Sequence, residues 1–193
     1  ILALDARHAT GGLAPHDEAA AALAQDEATI APLRRCWALA RDTLRCAVIQ
    51  QAILPVFPSL LGQNGHRLPG SPAAAVARLN AHLRAAAGDE GVAILATDHA
   101  AARDGLARWH DPALWFHARQ EISPAVAAIW AEEAMQLLAA LRGRAAKCLV
   151  LDLDNTLWGG VVGDDGVENL VLGQGSAEGE AFLAIQAHAR DLA

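Results

Sequence analysis

Residues 147–166, KCLVLDLDNTLWGGVVGDDG, constrain this chain more than any other stretch. From Cys148 to Asp152 the side chains form a continuous apolar run that is entered from Lys147 and ends in an acid. Such a run suits a parallel strand covered on both faces, where an alternating run would suit a half-exposed one. Asp152 and Asp154 stand at its carboxyl end, followed by Thr156 and a turn at Gly159-Gly160. In open α/β sheets that end of a strand is where ligands sit. Residues two apart on a strand point to one side, so both carboxylates are expected to face a single cleft as the strand runs out. Two acids set together cost stability unless something uses their charge. A divalent cation and a phosphorylated substrate are the natural guests.

The rest of the chain alternates helix and strand signals. Ile1–Asp5 reads as a strand. Residues 15–45 carry helical periodicity, with Ala19, Leu23, Ile30, Leu33, Trp37 and Leu44 as the buried stripe and a break near Pro32. Cys46–Gln50 reads as a short strand and residues 55–70 as a loop rich in Pro and Gly. Ser71-Pro72 opens a helix to about Ala87, with Pro at the first helical position. Residues 91–96, GVAILA, form the next strand, and residues 98–112 a short helix or irregular segment. Ser123-Pro124 opens another helix to about Leu141 by the same device. Strands alternating with helices of this length indicate βαβ units and a parallel sheet, an α/β fold. Arg142-Gly143-Arg144 is a hinge and sets a domain boundary, giving regions 1–143 and 144–193. Past the acids, 157–163 fits a tight hairpin, and Asp164-Asp165-Gly166 a hairpin turn. A final amphipathic helix over 181–193 is capped by Ser176, with Glu178 and Glu180 in its first turn.

Composition excludes some functions. A net charge of −7 over 193 residues offers no basic patch for nucleic acid. Cys36, Cys46 and Cys148 have no metal-binding spacing, and three cysteines suit reduced thiols in a cytoplasmic protein. Cys148, on the expected strand, reads as core. No stretch reads as the roughly 18 apolar residues of a membrane span, and no signal peptide is visible. The chain opens on a strand without Met and closes in a helix with no strand after it, so both ends are expected to be cut from something longer.

The spacing of the acids has a chemical reading of its own. One carboxylate can attack phosphorus and form an aspartyl-phosphate. A second can hand a proton to the leaving group and then take one from water. Mg2+ prefers oxygen ligands and screens the repulsion between the acids and the phosphate. The plain alternative is that both Asp residues form a turn after a strand.

Asp152-Leu153-Asp154-Asn155-Thr156 resembles the first motif, DxDxT, of the haloacid dehalogenase (HAD) phosphatase superfamily. The longer string through Trp158, Gly159, Gly160, Gly163 and Gly166 resembles the FkbH-like proteins within it. The resemblance implies Asp152 as nucleophile and Mg2+ ligand. It implies Asp154 as general acid/base, with its backbone carbonyl on the metal, and Thr156 as a hydrogen-bonding brace of the loop. The flap at Trp158, Gly159 and Gly160 would position substrate or loop. It further implies glyceryl transfer from 1,3-bisphosphoglycerate to an acyl carrier protein, in biosynthesis of a polyketide or related metabolite. The later HAD motifs and the thioester cysteine are not found within residues 1–193, so this piece alone is expected to be inactive or nearly so. The competing reading is a non-catalytic module that docks a carrier protein or partner subunit.

Residues 1–143 resemble the amino-terminal domain of FkbH-like proteins, a flavodoxin-like or SGNH-hydrolase-like three-layer sandwich, followed here by the start of a HAD-like Rossmannoid domain. An SGNH hydrolase needs an early Ser and a late Asp-x-x-His. Asp111 is followed by Pro112, Ala113 and Leu114, and His117 lies too far on, so esterase chemistry is not expected. Asn64 reads as a turn residue and His110 as a packing or capping one. Trp109, Trp115 and Trp130 read as core anchors.

Overall fold

The computed structural model describes residues 1–192 and divides into two compact units, Ile1–Gly143 and from Arg144 onward. In the first, Leu2 makes a single parallel bridge to β1 (Ile49–Gln51), which pairs in parallel with β2 (Ala93–Leu95), Gln50 opposite Ile94. The expected strand at 1–5 thus shrinks to one bridge, held by Leu2 N–H on Ile49 O and Gln51 N–H on Leu2 O, 2.8 Å each. The strand expected at 46–50 forms three residues later, and that at 91–96 keeps only its centre.

Helices cover both faces of this narrow sheet. α1 (Ala6–Ala9) is capped by Asp5, whose carboxylate accepts from Arg7 N and His8 N. α2 (Ala19–Ala38) and α3 (Pro72–Glu90) lie on one face, in a core with Ile30, Trp37, Ile53, Leu79 and Leu83. α7 (Ala127–Leu141) lies on the other, where Ala134, Leu137 and Leu138 meet Ile49 and Leu95. The pleat explains the division: Ile49, Ala93 and Leu95 point to α7, and Val48, Val92 and Ile94 to the opposite core. Between them run α4 (Thr97–Asp104), α5 (Leu106–Trp109) and α6 (Pro112–Ala118). The last was missed as a helix, though Asp111-Pro112 starts it by the device already recognised at Ser71-Pro72.

Caps set the long helices. Ser71 Oγ accepts from Ala74 N, Pro72 takes the first turn, and Gly91 ends α3 at φ 66°, a left-handed position that favours glycine. Pro32 does not break α2, which runs on into a π-helical turn at Leu39–Thr43. The interior stripe of α2 is Ala22, Asp26, Ile30 and Trp37, while Ala19, Leu23 and Leu44 are exposed. Asp26 explains the difference. It is fully buried and takes Arg78 Nε at 2.7 Å and Nη2 at 3.3 Å, while Arg78 Nη1 donates to Pro69 O. An acid is not scored as interior by periodicity, so the expected stripe meets the observed one at Ile30 and Trp37 but misses Ala22 and Asp26.

One segment, Pro124–Leu141, is long and apolar enough to cross a membrane, against the expectation that no stretch is. In this fold it is the helix over the sheet, with Trp130 Nε1 on Gln51 Oε1 at 2.9 Å.

The second unit holds α8 (Val162–Asp165) and α9 (Ala177–Asp191), the latter capped by Ser176 Oγ on Gly179 N. The helix end expected at Ala193 lies outside the described residues. The strand expected at 148–152 does not form. Cys148 is exposed, as are Leu149 (54%) and Val150 (87%). A strand needs a hydrogen-bonded neighbour, and none lies beside this segment among the described residues of the unit. Cys148 is therefore not core.

Candidate active site

What the sequence puts after that segment is a loop fastened by its own side chains. Asp152 is exposed, and its Oδ1 accepts the next backbone N–H, Leu153, at 2.8 Å. No Lys or Arg pairs with it among the described residues. Its carboxylate is exposed, on a segment that pairs with no strand among the described residues. Leu153 O takes Thr156 N at 3.2 Å and Leu157 N at 2.8 Å, closing a turn over DNT, so Thr156 braces the loop through its backbone.

Asp154 is half-buried and differently held. Its Oδ1 accepts from Trp158 Nε1 at 3.0 Å and from Val162 N at 3.3 Å. Asn155 lies at φ 55°, a conformation that Asn tolerates better than most residues, and its Oδ1 accepts Gly160 N at 2.9 Å. Asp165 Oδ2 takes Val161 N at 2.8 Å. Backbone donors from 160 to 162 and the Trp158 indole thus all end on side-chain oxygens of three residues.

The adjacent glycines are required by space. A Cβ on buried Gly159 would stand 3.0 Å from both Phe182 and Val171. Gly160 adopts φ 100°, with a Cβ position 3.1 Å from Asp165 Oδ2. Gly159 pairs antiparallel with Val171 through bonds of 3.0 and 2.8 Å. The tight hairpin expected over 157–163 is therefore a wider loop, from Gly159 to Val171, and its tip is the helical turn α8, not an Asp-Gly hairpin turn. Gly166 ends that turn at φ 75°. From α9, Gln186 Nε2 reaches Leu157 O at 2.7 Å. Asn155, Asp165 and Gln186 are not legible from sequence as loop fasteners; the turn-forming habit of Asn and Asp is the available signal for the first two, and nothing local marks Gln186.

The donors on offer are hard oxygens, which suits a divalent cation such as Mg2+. Asp152 and Asp154 offer two carboxylates, and no group of three or more His, Cys, Asp or Glu gathers to hold a metal among the described residues.

In the first unit the other candidates have structural roles. His110 is buried with Nδ1 on Glu121 O at 2.7 Å; Asp111 caps α6 through Ala113 N at 2.8 Å; Asn64 is exposed in a 3-10 turn. Trp109 is fully buried. Trp115 is only half-buried and stacks on the guanidinium groups of Arg7 and Arg119, 3.8 and 4.3 Å from the ring centre. Glu121, half-buried, accepts Ala6 N at 2.9 Å. Burial pushes its carboxyl up to about 7; the Ala6 N–H pulls it down, Asp5 adds to the rise and Arg7 opposes it.

No family model matches the chain, and no curated protein matches it. The fold is similar to the crystal structure of the N-terminal part of the protein BF1531 from Bacteroides fragilis, which contains a phosphatase domain and is complexed with Mg, at a TM-score of 0.77 and 25% identity. The match covers 92% of this chain and 46% of that one, so the chain spans less than half the length of that structure.

Proposed function

We propose that the protein carrying this chain is a Mg2+-dependent phosphatase or phosphotransferase of the HAD type, working through Asp152 and Asp154 on a phosphorylated small molecule. One observation supports this above the others: an exposed carboxylate with no cationic partner, two residues before a second carboxylate that a fastened loop holds in place. The likeness to a Mg-bound phosphatase domain supports the same reading.

In this reading a carboxylate oxygen of Asp152 bonds to phosphorus as the ester P–O bond breaks. The proton on Asp154 passes to the leaving oxygen, which leaves an acyl-phosphate on Asp152 and a carboxylate on Asp154. Water then attacks phosphorus, gives its proton to Asp154, and phosphate departs. When bound, Mg2+ supplies charge screening between the acids and the phosphate oxygens, held by Asp152 and the Asp154 backbone carbonyl. Thr156 braces the turn between them, and Trp158, Gly159 and Gly160 form the flap.

The finer reading is FkbH-like, with glyceryl transfer from 1,3-bisphosphoglycerate to an acyl carrier protein. The Trp158-Gly159-Gly160 string supports it. The region 1–143 then forms the flavodoxin- or SGNH-like part and 144–193 the start of a HAD-like Rossmannoid domain. Three free, exposed cysteines suit a reducing, cytoplasmic setting. Two carboxylates are few for tight Mg2+ binding, so residues 1–193 alone are expected to turn over little.

The test is hydrolysis of a chromogenic phosphate with and without Mg2+. The protein carrying this chain should need the metal, and Asp152→Asn should abolish turnover. Retained activity in Asp152→Asn removes Asp152 as nucleophile. Transfer to an acyl carrier protein, followed by mass spectrometry, separates the finer reading from simple hydrolysis.

A further inference from the structure

Asp154 is the only one of the two acids whose carboxylate is held by another side chain. Its Oδ1 receives two N–H groups: the Trp158 indole at 3.0 Å, partly buried, and the Val162 backbone at 3.3 Å. An indole nitrogen can only donate, so Oδ1 must be the accepting oxygen. Oδ2 accepts no hydrogen bond among the described residues. Oδ2 is therefore the oxygen left to face a substrate.

We propose that Trp158 is a positioning residue for Asp154: its indole N–H fixes Oδ1 and thereby sets which carboxylate oxygen, Oδ2, is presented to the leaving group. The proposal rests on the phosphatase reading for its catalytic meaning. It goes beyond that reading by giving Trp158 a task other than forming the flap.

The rest of the loop supports the assignment. The Trp158 backbone is followed by Gly159, where a Cβ would crowd Phe182 and Val171 at 3.0 Å, and by Gly160 at φ 100°, whose N is tied to Asn155 Oδ1 at 2.9 Å. Gln186 Nε2 donates to the carbonyl of Leu157, the residue before the tryptophan, at 2.7 Å. The tryptophan is therefore fixed at both flanks, four residues after the carboxylate it serves, with its donor aimed back at it. A hydrophobic anchor would satisfy neither the direction of the N–H nor the choice of oxygen.

A leaving-group series tests the role. Phenyl phosphate needs a proton on its departing oxygen, whereas 2,4-dinitrophenyl phosphate leaves without one. In the Mg2+-loaded protein, Trp158→Phe should lower kcat/KM for phenyl phosphate by about tenfold, the size of one lost hydrogen bond. The dinitrophenyl ester should lose less than about threefold. Trp158→His, which keeps a ring N–H, should recover part of the phenyl phosphate rate. Equal losses on both esters, or no loss, overturn the role.

The contact itself is read without turnover. The indole Nε1–H resonance of Trp158, identified by its disappearance in Trp158→Phe, should exchange slowly with solvent and shift in Asp154→Ala, while those of Trp37, Trp109, Trp115 and Trp130 stay in place. A Trp158 resonance that ignores Asp154→Ala overturns the inference even where phosphatase activity is found. A responsive resonance in a protein with no turnover instead removes the phosphatase reading, and the catalytic role with it.

Discussion

Glu121 gives the first unit a dependence on pH that can be worked out from its surroundings. Its Oε1 accepts Ala6 N at 2.9 Å, so the carboxyl ties the segment after α6 to the start of α1. Burial raises it from 4.5 to about 7, with Asp5 adding to the rise. A carboxyl so raised holds its proton more tightly folded than unfolded, so ionising it costs the folded state. Below about 4.5 both states are protonated and nothing is lost. Between 4.5 and 7 the unfolded chain ionises while the folded one does not, and stability falls as pH rises. Above 7 the loss is complete. At about 1.4 kcal/mol for each tenfold change in proton affinity the ceiling is about 3 kcal/mol; solvent screening of a half-buried group lowers this to about 1–2 kcal/mol. Glu121→Gln keeps an acceptor for Ala6 N and removes the titration. Parent and variant are to be melted side by side at pH 4.5 and pH 8, so that all other titrations cancel in the difference. They should melt alike at pH 4.5. At pH 8 the variant should melt higher by about 3–6 °C, on the usual scale for a unit of this size. A difference that is the same at both pH values, or a variant that melts lower at pH 8, refutes the reasoning.

Arg78→Ala should strand Asp26 as a fully buried, unpaired acid and cost about 3–5 kcal/mol in urea unfolding. Pairing it with Asp26→Asn should recover much of that, and a single-variant cost below about 1 kcal/mol would mean the pair does not hold α2 to α3. Gly160→Ala must place a Cβ 3.1 Å from Asp165 Oδ2 at φ 100°. It should cost about 1–3 kcal/mol and speed amide exchange at Val161 and Val162, while unchanged exchange there would show the loop tolerates the side chain.

How much of this was readable depended on how far along the chain the partners lie. The helices at 72–90 and 177–191 were placed from Ser71-Pro72 and Ser176, because a cap and its donor sit three residues apart. Strand positions were readable only in outline. β1 and β2 owe their register to each other and to Leu2, separated by more than forty residues. Asp26 shows the same limit in another form. Nothing near it in sequence marks it as interior; Arg78, fifty-two residues away, does.

The acid-bearing stretch divides along the same line. Its apolar half, 148–151, signals a strand, yet a strand is completed by a neighbour, and the segment stays unpaired with Leu149 and Val150 exposed. Its polar half needs no distant partner. Asp152 bonds one residue ahead, Asp154 four and eight, Asn155 five, and Asp165 four residues back. Loops closed over so few residues lose little chain entropy on ordering, so much of the shape of 152–165 is set by these residues, with Val171, Phe182 and Gln186 adding contacts from beyond them. The arrangement of Asp154, Trp158 and Gly160 can therefore be held before any cleft forms around Asp152. If that is right, the Trp158 indole resonance should survive urea concentrations that abolish the α2–α3 core signal of Trp37; loss of both together would mean the loop depends on packing beyond its own bonds.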